Sequence, residues 1–187
     1  NQGGSNPLLK LVQKWVDSRK IGKISEVKIW TNRPVWPQGV EMMRANQKLK
    51  PPALNWNLWL GPARYTGYTP NLHPFHWRGW WAYGTGALGD VGCHLIDIPF
   101  RTLGLKYPKD AECSVGSVYT KMWNADYFPE SCPSSSLITL NFDSTEKNKT
   151  PMQLTWMDGG IRPPHPEIIP ANDDIGGPGS LNGVLMI

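Results

Sequence analysis

One carboxylate and one imidazole are spaced so that a helix would present them together. Asp90 and His94 stand four residues apart in a segment with helical periodicity, and Asp97 follows three residues later. Side chains at these spacings lie on one face of a helix. A carboxylate beside an imidazole can fix its tautomer and strengthen it as a base. Such a pair can remove a hydroxyl proton while hydride leaves the attached carbon, so we predict that His94 is catalytic and that Asp90 orients it.

The same spacing also has a purely structural interpretation. A hydrogen bond between His94 and Asp90 could simply satisfy two polar side chains on an otherwise buried helix. We interpret Asp97 as structural. Three glycines keep this helix slim, which lets a ligand or another part of the fold come close; they are Gly86, Gly89 and Gly92.

The segment before this helix is rich in aromatic rings. The chain contains ten tryptophans, which is too many for one small core because the residue is large and its N–H needs a partner. Flat indole faces with a polar edge suit sugar rings, although the rings could instead pack under proline-rich loops. We predict that four residues shape a substrate pocket: Arg78, Trp80, Trp81 and Tyr83.

Residues 84–89 match the G-x-G-x-x-G pattern of dinucleotide sites and open the predicted helix. The preceding residues 76–83 are not the Val/Ile/Leu-rich strand that a parallel sheet requires. The acid expected for the ribose is missing from the end of the following strand, and the motif lies in the middle of the chain. We therefore predict that the motif is not a dinucleotide site, and the residues that contact a cofactor stay open.

Hydrophobic periodicity predicts the elements that position these residues. Three segments have helical patterns, with Asn6 capping the first and Pro99 kinking or splitting the last: residues 7–18, 54–60 and 86–103. Five segments have strand patterns: residues 24–31, 112–121, 136–142, 152–157 and 183–187. The strands follow one another too closely for helical crossovers. We predict an α+β fold, an open, mostly antiparallel or mixed β-sheet with helices packed on one face.

The bulk composition excludes several classes of protein. The chain has 187 residues, 40% hydrophobic and 18% charged, which suits one globular domain. The net charge of +4 without a basic run gives no sign of nucleic-acid binding. No apolar stretch approaches the ~18 residues of a membrane span. We expect residues 1–187 to form a single domain cut at both ends from a longer chain.

The cysteines and the one glycosylation triplet of the chain indicate no further functional site. Three widely spaced cysteines argue against a disulfide framework or a zinc site. We therefore predict no metal, and we expect the cysteines to be small buried hydrophobes. Residues 148–150 form a glycosylation triplet that we interpret as a surface turn.

Residues 77–97, WRGWWAYGTGALGDVGCHLID, resemble the signature of the Gfo/Idh/MocA oxidoreductase family. Shorter matches occur at NQG (residues 1–3), IGKI (21–24), WTNRPVWPQG (30–39) and WLGPA (59–63). The resemblance implies a two-domain parent, in which an N-terminal Rossmann domain precedes an α/β domain like this chain. The matching aspartate and histidine line the family's substrate site, which carries those roles to Asp90 and His94. Gly4 stands where many relatives have a histidine.

The resemblance implies the substrate-binding domain of an NAD- or NADP-dependent oxidoreductase, acting on a hydroxyl or carbonyl carbon of a sugar or polyol. The cofactor would be bound mainly by the absent Rossmann domain and not tightly by this chain. Two alternatives stay open: an NAD-dependent glycoside hydrolase of the same family, and a non-catalytic carbohydrate-binding module. We expect a homo-oligomer through the free sheet face, no nucleic-acid or membrane partner, and a bacterial cytoplasmic or periplasmic location.

Overall fold

The computed structural model describes residues 2–187 and is built on one five-stranded sheet. The strands are β1 (Glu26–Thr31), β2 (Asp110–Val115), β3 (Ser136–Phe142), β4 (Met152–Met157) and β5 (Asn182–Met186). Their order across the sheet is β2-β3-β4-β1-β5. Only the β1–β4 pair is parallel, and the other pairs are antiparallel. The predicted α+β fold with an open mixed sheet is confirmed.

The helices are α1 (Pro7–Asp17), α2 (Trp56–Leu60), α3 (Gly86–Leu95) and α4 (Asp97–Thr102). Asn6 caps α1 by accepting the N–H of Leu8 at 2.9 Å. The long helix predicted from residue 86 is split into α3 and α4 at Ile96. Pro99 explains the split, because its nitrogen cannot donate to the carbonyl four residues earlier and its ring crowds that carbonyl.

One face of the sheet carries the main apolar core. Val27 and Ile29 from β1 and Leu154 and Trp156 from β4 are fully buried there. The helices supply the opposing side chains, which include Val16, Val91, Leu95 and Leu103. The four strand residues occupy alternate positions in β1 and β4, so their side chains lie on the same face of the sheet. This layer fixes α3, the helix that carries the predicted catalytic pair, against the sheet.

The other face of the sheet is polar over most of its width. Gln153 donates to Asn141 at 3.2 Å and Asn141 donates to Asp110 across three neighbouring strands. Towards one end, Trp30 and Met157 are covered by Ile175 from the last irregular segment. The homo-oligomer expected through this face stays a prediction.

Asn148 was expected in a surface turn, but its side chain is buried. Its amide accepts the N–H of Ile24 at 3.1 Å and donates to the carbonyls of Ile24 at 2.7 Å and Thr150 at 2.9 Å. These hydrogen bonds tie the β3–β4 connection to the residues that precede β1. The triplet therefore has a structural role in the folded chain.

The irregular segment before α3 has an apolar cluster of its own. Five large side chains are buried in it: Trp56, Leu60, Tyr68, Leu72 and Trp80. Among the described residues, five of the ten tryptophans are buried, so packing within the fold accounts for those five. Sugar binding by any of the others stays a prediction. Within residues 2–187, no helix has both the length and the apolar composition needed to cross a membrane.

Candidate functional site

A cavity of about 350 Å³ lies beside the first turn of α3. We refer to it as the Arg78 cavity. It is lined by four of the six predicted site residues, which come from two elements, the aromatic segment and the helix: Arg78, Trp81, Tyr83 and Asp90. The fold thus brings these four side chains together beside α3, and their role in binding a substrate stays a prediction.

Arg78 and Asp90 form the charged centre of this cavity. The Nε of Arg78 donates to Oδ1 of Asp90 at 2.8 Å, and its Nη1 donates to the carbonyl of Phe75 at 3.0 Å. The guanidinium also lies over the rings of Phe75 and Trp77, 4.3 and 4.5 Å from their centroids. A planar cation held by stacking and hydrogen bonds on several sides has little freedom to move. Among the described residues, its Nη2 has no hydrogen-bond partner and can donate to a ligand.

His94 lies one helical turn after Asp90, but the two do not form a hydrogen bond within the described chain. Asp90 is bound to Arg78 instead. The Nδ1 atom of His94 is buried and has no hydrogen-bond partner among the described residues. His94 is also not among the described residues that line the Arg78 cavity. The expected orientation of His94 by Asp90 is therefore replaced by an Arg78–Asp90 pair, because the arginine reaches the carboxylate from the neighbouring segment.

The aromatic residues have different positions. Trp80 was predicted to shape the pocket, but it does not line the Arg78 cavity. It is only 4% exposed and packs in the cluster around Trp56. Trp81 is 54% exposed and does line it. Tyr83 is half-buried, and its hydroxyl shares a 3.1 Å hydrogen bond with that of Thr66. Adjacent residues in an extended segment point to opposite sides, which explains the contrast between Trp80 and Trp81.

The glycine motif at residues 84–89 does not fit a dinucleotide. It follows a 3₁₀ turn at His76–Gly79 and not a buried strand. A Cβ on Gly84 would meet the backbone of Arg78, and one on Gly86, which has φ +63°, would meet the side chain of Cys132. The close approaches that a pyrophosphate would need are thus occupied by the protein itself. These glycines let α3 and the loops around it pack together.

A second, larger cavity was not predicted from the sequence. It has a volume of about 710 Å³, and we refer to it as the Asp158 cavity. Asp158, which follows β4, is 2% exposed. Ser136 donates to it from its N–H at 2.5 Å and from its hydroxyl at 2.8 Å, and the indole of Trp156 donates at 2.8 Å. From the sequence, Asp158 is identified only as the first residue of an Asp-Gly-Gly turn. Its position directly after an apolar strand was the signal that could have indicated a buried carboxylate.

Burial raises the pKa of Asp158 above its ordinary value of 3.8, although the hydrogen bonds from Trp156 and Ser136 oppose the shift. The folded protein therefore holds this proton more tightly than the unfolded chain does. The resulting stabilisation is complete below pH 3.8 and is lost as the pH rises through the raised folded pKa.

We expect the stability advantage of the wild type over Asp158→Asn to shrink as the pH rises, since the asparagine has no proton to lose. Urea unfolding at a series of pH values measures it. Asp143→Asn is the control, because Asp143 is exposed and pairs with Lys109 at the surface. An advantage over Asp158→Asn that grows with pH would mean that the folded pKa is lowered.

The cysteines differ from the expectation that all three are buried. Cys132 is buried and lines the Asp158 cavity, whereas Cys93 and Cys113 are exposed. Burial raises the pKa of the Cys132 thiol to about 11. A thiol at that value stays protonated at neutral pH, so Cys132 serves as an apolar part of the wall and not as a nucleophile.

Comparison with family models gives a match over residues 6–116, more than half of the chain, to the model described as "Oxidoreductase family, C-terminal alpha/beta domain" of the Gfo/Idh/MocA proteins. The matched residues include α3 and the whole lining of the Arg78 cavity. No protein of curated function matches the chain by sequence. The chain belongs to the Gfo/Idh/MocA oxidoreductase family, as a C-terminal α/β domain.

Proposed function

We propose that this domain binds the substrate of an NAD(P)-dependent oxidoreductase that acts on a sugar or polyol. The observation that carries the proposal is the Arg78–Asp90 pair, joined at 2.8 Å and set among aromatic rings in a 350 Å³ cavity. Ligand sites of this kind combine apolar walls with a few fixed polar groups.

The groups in the Arg78 cavity match the chemistry of a sugar ring. The exposed indole of Trp81 offers a flat apolar surface to the C–H face of the ring. Nη2 of Arg78 can donate to a hydroxyl oxygen, while Oδ2 of Asp90 can accept a hydroxyl proton. Since Asp90 is already held by Arg78, both partners are positioned before the ligand arrives, which lowers the entropic cost of binding.

His94 is the proposed base. It stands one turn of α3 beyond Asp90, and no group in the described part of the chain forms a hydrogen bond with its buried Nδ1. Since His94 does not line the Arg78 cavity, the proposed reaction requires that the reacting hydroxyl extends out of that cavity to His94. The imidazole then accepts the proton of this hydroxyl as the carbon–oxygen double bond forms. The dinucleotide, held by a separate Rossmann domain, supplies the acceptor for the hydride.

The test uses the oxidoreductase in which this domain is joined to its Rossmann domain. Sugars and polyols are supplied with NAD or NADP, and reduction of the nicotinamide is followed by absorbance. We expect saturable reduction with at least one cyclic sugar or polyol. Release of the aglycone from an aryl glycoside without net reduction would favour the hydrolase alternative, and sugar binding with neither reaction would favour the binding module.

A further inference from the structure

The Asp158 cavity and the Arg78 cavity are neighbours. They share four lining residues at the start of α3 and just before it: Trp81, Thr85, Gly86 and Gly89. Both volumes, about 350 and 710 Å³, lie within the range of small-molecule sites, and the larger cavity has room for a further ring system. A ligand that fills the first cavity can therefore extend past Trp81 into the second.

The walls of the Asp158 cavity limit what such an extension can be. Apolar side chains form much of its surface, among them Leu88, Val115, Phe128 and Ile138. Its charged lining residues are Asp126 and Asp158, and its described lining contains no lysine, arginine or histidine. A phosphate or carboxylate would be repelled there and would lose its hydration without gaining a cation. The cavity thus suits a neutral, mainly apolar group.

Asp158 adds a polar contact inside this cavity. Within the described chain, its Oδ1 accepts one hydrogen bond and its Oδ2 accepts two. A carboxylate has about four acceptor positions, so Oδ1 retains capacity for one more donor. No lysine, arginine or histidine among the described residues pairs with it. A hydroxyl group on an otherwise apolar ring is a donor that fits this arrangement.

We propose that the substrate is a glycoside, whose sugar occupies the Arg78 cavity and whose flat, apolar aglycone occupies the Asp158 cavity. This inference rests on the proposed function, because it assumes a sugar beside Arg78. It adds a substrate class: a sugar joined to an aromatic or similar ring, and not a free monosaccharide or a sugar phosphate.

The experiment measures binding to the 187-residue chain by tryptophan fluorescence or calorimetry. Three probes are compared: a 4-nitrophenyl glycoside, the methyl glycoside of the same sugar, and free 4-nitrophenol. We expect the aryl glycoside to bind about tenfold more tightly than the methyl glycoside, since its ring leaves water for an apolar wall.

Two variants narrow the Asp158 cavity without touching the Arg78 cavity. Val115→Trp alters the wall supplied by β2 and Leu88→Trp the wall supplied by α3. Both positions are partly exposed, at 56% and 37%, so the fold should accept the larger side chains. We expect each to remove the preference for the aryl glycoside and to leave the methyl glycoside unaffected. Val35→Trp, at an equally exposed position outside the cavity, is the matched control and should keep the preference.

The outcomes separate this inference from the proposed function. Equal affinity for the aryl and methyl glycosides, or a preference that survives both cavity variants, overturns the glycoside inference and leaves the sugar site standing. A third outcome is that 4-nitrophenol binds and neither glycoside does. If Val115→Trp and Leu88→Trp abolish that binding and Val35→Trp does not, the apolar site is supported and the proposed sugar site is contradicted. Absence of binding for all three probes overturns both.

Discussion

Replacing His94 with alanine in the oxidoreductase that carries this domain should reduce turnover by ~10²–10⁴-fold, because general-base catalysis contributes about that much. The imidazole is the proposed acceptor of the hydroxyl proton, and alanine offers no substitute for it. Steady-state kinetics with a saturating sugar or polyol measures the effect. Substrate affinity should change far less than turnover, since the Arg78–Asp90 pair and Trp81 are untouched.

The control for this variant is another imidazole of the same chain. His165 is exposed and its ring nitrogens lie 3.1 Å from the carbonyls of Pro166 and Asp173, away from α3. His165→Ala should therefore retain normal turnover. Near-normal turnover in His94→Ala would remove His94 from the mechanism. A fall in turnover with unfolded protein, seen by circular dichroism, would instead assign His94 a structural role.

The fold followed from the sequence because its local signals agree with its tertiary packing. The strands at 136–142 and 152–157 are found at the predicted residues, since apolar and polar side chains alternate there on a sheet with one buried face. The Asn6 cap follows from the side-chain oxygen of that residue, and the split of the last helix near Pro99 follows from the missing N–H of proline. The prediction of β2 as residues 112–121 was wrong at both ends: the strand begins two residues earlier, at Asp110, and ends six residues earlier, at Val115. All of its residues are exposed, so apolar alternation does not mark its ends.

The site was less predictable, because spacing along one helix does not reveal partners from elsewhere. Asp90 and His94 lie on one element as expected, yet the carboxylate is taken by Arg78, which the sequence suggested only as a pocket residue. Trp80 and Trp81 are neighbours of the same type, and only the packing of the irregular segment decides that Trp80 is buried. The place of Asp158 in the larger cavity depends on its hydrogen bonds to Ser136, at the start of β3. Predicting these bonds requires the register between β3 and β4, which the sequence does not give.

Arg78 should be the residue on which substrate affinity depends most. Arg78→Ala should raise KM by about 100-fold, and Arg78→Lys should recover only part of that loss, leaving a defect of about tenfold. A lysine keeps the charge, but its ammonium cannot lie flat on Phe75 and Trp77 while donating to Asp90 and to a sugar hydroxyl from a rigid fork. Because these contacts form with the bound substrate as well as with the transition state, kcat should change little.

A matched substitution distinguishes this role from the general loss of an arginine. Arg64 is exposed and does not line the Arg78 cavity, so Arg64→Lys should leave KM unchanged. Asp90→Asn should raise KM as well, because the amide cannot neutralise the guanidinium that it holds in place. Full recovery of KM in Arg78→Lys would show that charge alone is needed there. The stacked, hydrogen-bonded geometry would then have no part in sugar recognition.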